Sequence, residues 1–198
     1  MSNPRKAERP QLSIGIALLL VSALLAAWAL GGARTATGAP VDTSVRQAAP
    51  EPAVGLEVGQ RAPDFTVTTL DAQALTSADL LAQDKPFILY FFTTWCTTCR
   101  AEFRLLKDLY PGYAERVNFV AVGIDPTEGP DIVAAYHQAM GYPWTVTLAE
   151  RDVLERYNVI STAIKYAIDR HGIITFQRGY GVNSSETWTR VFEDLLQR

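Results

Sequence analysis

The two cysteines of this 198-residue chain stand in Trp95-Cys96-Thr97-Thr98-Cys99. Two intervening residues let a pair of sulfurs meet across one helical turn, where unpaired N–H groups and the positive end of the helix dipole stabilise a thiolate on the first. The flanking sequence supplies that setting. The apolar run Phe87-Ile88-Leu89-Tyr90-Phe91-Phe92 reads as a buried strand. Arg100 to Tyr110 follows as a helix, with Phe103, Leu106 and Leu109 or Tyr110 on one side and Pro111-Gly112 as the stop. A strand that hands CxxC to a helix start is suited to reversible dithiol chemistry. Cys96, at the helix start, is expected exposed and is the candidate nucleophile; Cys99, one turn in and partly buried, is the candidate resolving thiol. The bland readings fit less well, because a two-residue loop constrains an unfolded chain very little. A closed zinc site takes about four ligands, and there is no further cysteine.

The elements that must carry this pair follow in order. With 48% hydrophobic and 20% charged residues the chain has the make-up of a globular protein with one core. A formal net charge of -3 gives no basic footprint for nucleic acid. Leu12 to Leu30 carries no charge and is preceded by Arg5, Lys6 and Arg9. That run approaches the about 20 apolar residues of a membrane span and exceeds the about 7–15 of a signal-peptide core. It is read as one transmembrane signal anchor, with a cleaved signal at Ala27/Ala29 or Gly31/Ala33 as the alternative. Either way the remainder is exported, and the basic cluster stays on the cytoplasmic side. The expected layout is a cytoplasmic N-terminus 1–11, an anchor 12–30, an Ala/Pro/Thr/Gly-rich tether 31–55 and a catalytic domain 56–198.

Within 56–198, Phe65 to Thr68 and Leu70 to Leu75 read as an N-terminal β-hairpin, and Val117 to Asp125 as a strand apolar on both faces. Asp131 to Met140 and Leu148 to Tyr157 read as helices. Lys165 to Asp169 and Ile173 to Gln177 flank a turn at Arg170-His171-Gly172, and Ser185 to Gln197 puts Trp188, Val191, Phe192 and Leu195 on one helical stripe. The predicted class is α/β, a mixed central sheet between helical layers. This order, with the Trp-Cys-x-x-Cys, resembles the thioredoxin superfamily. Arg61-Ala62-Pro63-Asp64-Phe65 and Cys99-Arg100-Ala101-Glu102 are similar to the membrane-anchored thiol-disulfide oxidoreductases of the TlpA/ResA type.

The resemblance implies roles. The active group is the Cys96–Cys99 disulfide with no cofactor. The partners are protein disulfides, in cytochrome c maturation or at copper-site cysteines, and a membrane thiol-electron donor of the CcdA/DsbD type. Trp95 matches the aromatic that shields the thiolate, with core packing as the equal alternative. Thr97 and Thr98 occupy the dipeptide that tunes the potential, and a hydroxyl at Thr98, where relatives often have proline, can donate to the Cys96 sulfur. Glu102 matches an acidic position three residues beyond Cys99, near enough for proton transfer, but a solvated first-turn charge is the favoured reading. Tyr90 stands where cytoplasmic thioredoxins bury an aspartate. Thr162 and Ala163 fall on the substrate groove, and Ala163 replaces the family's cis-proline; the bond before it is expected trans, since a non-proline cis bond costs about 2.5–4 kcal/mol. Arg104 replaces a helix-kinking proline of many relatives.

The chain also resembles two other families in part. The stretch Tyr157 to Asp169 is similar to Sco-type copper proteins, in which Cys96 and Cys99 would hold Cu(I), yet Ser161 stands in place of the ligating histidine. His137 and His171 are expected on a helix surface and in a turn. Thr93-x-x-Cys96 suggests a peroxiredoxin, but Leu89 replaces the expected proline. A thioredoxin-like module that only binds partners is the third class, and it predicts no turnover of any disulfide.

Overall fold

A computed structural model describes residues 50–198. The expected cytoplasmic N-terminus 1–11, the expected anchor 12–30 and most of the expected tether 31–55 lie outside the described residues. Among the described residues no helix is long and apolar enough to cross a membrane.

The elements are β1 (Thr66–Thr69), β2 (Ala74–Thr76), α1 (Ser77–Leu81), β3 (Phe87–Phe92), α2 (Thr97–Leu109), β4 (Asn118–Gly123), α3 (Pro130–Met140), β5 (Thr145–Ala149), α4 (Arg151–Arg156), β6 (Ile164–Ile168), β7 (Ile174–Arg178) and α5 (Ser185–Leu196). Seven strands form one sheet in the order β2-β1-β5-β4-β3-β6-β7. β3, β4 and β5 are parallel, and the other pairings are antiparallel.

One expectation changes. Leu148 and Ala149, expected to open a helix, end strand β5, and α4 begins only at Arg151. Thr145-Val146-Thr147 is a β-branched run, and that preference wins over the helical spacing further on. The expected N-terminal hairpin is present as β1–β2, in register Val67↔Leu75, and β1 also pairs with β5, Val67↔Ala149, so the hairpin extends the sheet. Helix α1 went unseen because five residues show no periodicity. It is specified by its end instead, where Thr76 and Asp79 form a capping box.

β3 is the axis, with all six residues buried. Ile88, Tyr90 and Phe92 pack on one face with Phe103 and Leu106 of α2 and Trp188, Phe192 and Leu195 of α5. Phe87, Leu89 and Phe91 pack on the other with Phe65, Leu80, Val153 and Tyr157. Each such side chain contributes about 1.5–3 kcal/mol by leaving water. The strand cannot slide without moving both layers to wrong faces, so its carboxyl end is a fixed point from which the dithiol is hung.

Candidate active site

β3 ends at Phe92, whose carbonyl accepts from Ile124 N at 3.0 Å, and the chain turns at Thr93 with Cys96 N donating to Thr93 O at 3.2 Å. Cys96 is the N-cap of α2, and its Sγ accepts the backbone N–H of Cys99 at 3.0 Å. The two cysteines form a disulfide, with Cα atoms 5.3 Å apart. Cys99 lies one turn in and is fully buried. Cys96, expected exposed, is only 3% exposed. It packs in one cluster with Phe92, Cys99, Phe103 and Ala163, which is what removes it from solvent.

The turn before Cys96 is fastened to the β4–α3 connection. Thr94 donates through its N–H to Glu128 Oε2 at 3.0 Å and through its hydroxyl to Glu128 Oε1. Trp95 is 60% exposed, so core packing is excluded for it, and its Nε1 donates to Asp125 Oδ2 at 2.8 Å. Hydrogen bonds from the Thr127 hydroxyl, then from Trp95, hold the Asp125 carboxyl below its ordinary range. Beside this turn, between the starts of α3 and α4, lies a cleft of about 900 Å³ lined by Asp125, Glu128, Glu150, Leu154 and Ile160 among others.

Under α2 the expectation of a solvated Glu102 is overturned. Its side chain is 0% exposed, because position 102 lies on the same inward stripe as Cys99 and Phe103. Oε2 accepts from Tyr90 Oη at 2.6 Å and Lys165 Nζ at 2.5 Å. Oε1 accepts from Asn183 N and Nδ2 and from Trp188 Nε1, each at 2.8 Å. Five donor groups from four residues thus converge on the two carboxyl oxygens. Burial pulls the Lys165 ammonium down from its ordinary range, opposed by the Glu102 charge. Burial and then the same negative charge push the Tyr90 phenol far up. Lys165 Nζ also donates to Gly181 O at 2.7 Å and sits 5.0 Å from the centroid of the Tyr90 ring.

The remaining predicted residues divide. Thr97 is exposed at the first position of α2. Thr98 does not donate to the Cys96 sulfur; its hydroxyl donates to Tyr180 Oη at 2.7 Å, and the backbone of Cys99 takes the sulfur instead. Thr162 is half-buried and Ala163 buried, directly before β6. No peptide bond among the described residues is cis, and Ala163 instead takes φ +60°, donating its N–H to Phe91 O at 2.8 Å. Ser161 is exposed. His137 lies in the last turn of α3 against Tyr142 O, and His171 in the β6–β7 turn, beyond the end of β6 that faces away from the dithiol. Among the described residues no three His, Cys, Asp or Glu side chains gather as a metal site. Lys165, Asn183 and Tyr180 escaped the sequence reading. Lys165 left one signal, a lone charge inside the apolar strand Ile164-Lys165-Tyr166-Ala167-Ile168.

A dithiol at a helix start, at the carboxyl end of a buried strand in a mixed sheet, defines a thioredoxin-like redox protein. The chain belongs to the AhpC/TSA family, whose profile matches residues 58–177. It is 31% identical over 122 residues to the thioredoxin-like protein YneN of Bacillus subtilis, covering 61% of this chain and 71% of that one. It is 26% identical over 144 residues to the thiol:disulfide interchange protein DsbE of Escherichia coli K12, covering 71% and 75%. A thiol:disulfide interchange protein of Chlorobium tepidum shares the fold, with a TM-score of 0.60, 24% identity and coverage of 69% and 95%. The protein is a thiol-disulfide oxidoreductase, and the Cys96–Cys99 pair is its redox-active disulfide.

Proposed function

We propose that this oxidoreductase is held at the membrane by segment 12–30, with residues 31–198 outside the cytoplasm, and there reduces disulfides in other proteins. The observation that carries the reading is the Cys96 sulfur as N-cap acceptor of α2. A sulfur in that place is stabilised as the thiolate once the disulfide is opened. The exposed Trp95 indole and the carboxylate-lined cleft beside it give a polypeptide something to lie against.

The Cys96 thiolate attacks one sulfur of the substrate disulfide. A mixed disulfide forms, and the first substrate sulfur leaves as a thiolate that takes the Cys99 thiol proton. The Cys99 thiolate then attacks Cys96 Sγ, expelling the second substrate sulfur, which takes a proton from water. Two electrons have moved from the dithiol to the substrate. Glu102 does not carry the proton, since both its oxygens are committed to donors; it positions α2. A membrane thiol-electron donor of the CcdA/DsbD type restores the dithiol, and the substrates implied by the TlpA/ResA resemblance are apocytochrome c or copper-site cysteines.

Cys96→Ser is expected to abolish exchange and Cys99→Ser to trap mixed disulfides, because only the second thiol can release the partner. Alkylation of the reduced protein at neutral pH that labels Cys99 before Cys96 overturns these roles. A reduction potential near about -270 mV supports the reducing direction, and one near about -120 mV reverses it. A reporter fused at Arg198 that is active only in the cytoplasm removes the exported topology.

A further inference from the structure

Between β7 and α5 the chain runs Gly179-Tyr180-Gly181-Val182-Asn183, and it is fastened at two depths. The deep fastening is the carbonyl of Gly181 on Lys165 and the amide groups of Asn183 on Glu102. The shallow one is a single bond in which the Thr98 hydroxyl donates to Tyr180 Oη. Thr98 belongs to the first turn of α2, between the cysteines, so the Tyr180 ring is drawn to the end of the helix where Cys96 sits.

Tyr180 is 66% exposed and Val182 54%, while Cys96 is 3% exposed. At the start of α2, Trp95 directly precedes Cys96 and is tied to Asp125, and Tyr180 is tied to Thr98 between the cysteines. Both are exposed aromatics whose polar tips are hydrogen-bonded. A rigid ring with few torsions provides contact area for a polypeptide at low entropic cost. The single bond of Tyr180 lies at an exposed group, so it exchanges readily for contacts with an incoming chain. Gly181, at φ +134°, sets the backbone path that turns Tyr180 outward while its carbonyl stays on Lys165.

We propose that Tyr180 determines substrate specificity at this dithiol: its hydroxyl latches the ring over the first turn of α2, and the released ring grips the polypeptide that carries the disulfide. The inference rests on protein disulfides being the substrates. Small disulfides gain nothing from the grip and are hindered by the latch.

The test uses the reduced full-length protein in detergent and two probes, an oxidised two-cysteine peptide of about 15 residues and 2-hydroxyethyl disulfide. Tyr180→Ala is expected to lower kcat/KM for the peptide roughly tenfold, mainly through KM, and to raise the rate with hydroxyethyl disulfide. Tyr180→Phe keeps the ring and loses the latch. It is expected to hold the peptide kcat/KM near the parent value while the small disulfide again reacts faster. If Tyr180→Ala moves both probes in the same direction, or moves neither, Tyr180 does not select substrate and the inference is overturned. If the parent protein reduces neither probe, the proposed function falls, and this inference with it.

Discussion

The dithiol helix is held from two sides that differ in kind. On its buried side Glu102 collects five donors from β3, β6, the β7–α5 connection and α5, with no exposure at either end of its ion pair with Lys165. On its solvent side Trp95–Asp125 and Thr98–Tyr180 are single hydrogen bonds between exposed or half-buried groups. A buried charge that loses its partner costs several kcal/mol, whereas an exposed hydrogen bond exchanges for water at little net cost. The buried side therefore keeps α2 and Cys99 in place through a catalytic cycle, and the solvent side is free to be remade by each substrate.

That division is open to attack from both ends. Lys165→Met leaves Glu102 charged and buried without its cation, with an expected loss of about 3–5 kcal/mol in denaturant unfolding. The double variant Lys165→Met with Glu102→Gln removes the orphan charge and is expected to regain much of that loss. A double variant no more stable than the single would show that the pair is not what secures α2. Next in size is Ala163→Pro. Its φ of +60° is closed to proline, and the substitution also removes the N–H bonded to Phe91 O, so a loss of about 3 kcal/mol or more is expected. Ala163→Gly should instead stabilise by about 1 kcal/mol, because glycine enters the left-handed region without the penalty a Cβ brings.

The smallest effect lies on the solvent side. The Asp125 carboxyl is held below its ordinary value of 3.8 in the folded protein. Its contribution is thus present above the unfolded value and is lost as pH falls through the folded one. The Trp95 indole N–H resonance, assigned by its absence in Trp95→Phe, is expected to shift in acid only below pH 3.8. A midpoint above that value would mean the bond to Asp125 is not formed in solution.

Much of the frame was legible beforehand because its signals are local. β3 was read with its observed ends, since a six-residue apolar run between polar segments leaves little choice. The α5 stripe Trp188, Val191, Phe192 and Leu195 is buried as its spacing requires. The CxxC at the start of α2 follows from the order of strand, motif and helix. Where local signals competed the reading failed, as at Leu148-Ala149, which the pairing of β5 with β1 and β4 draws into the sheet.

By itself the sequence determined the chemistry of this protein, because two sulfurs two residues apart and the elements around them are encoded within about twenty consecutive positions. Only the tertiary structure decided the surroundings of that chemistry. The Glu102 side chain is met by Lys165 from 63 positions away and by Trp188 from 86, and no periodicity links residues on different elements. The burial of Cys96, the left-handed Ala163 and the outward ring of Tyr180 were decided in the same way, by segments that become neighbours only when β3, β6 and the β7–α5 connection are brought together around α2.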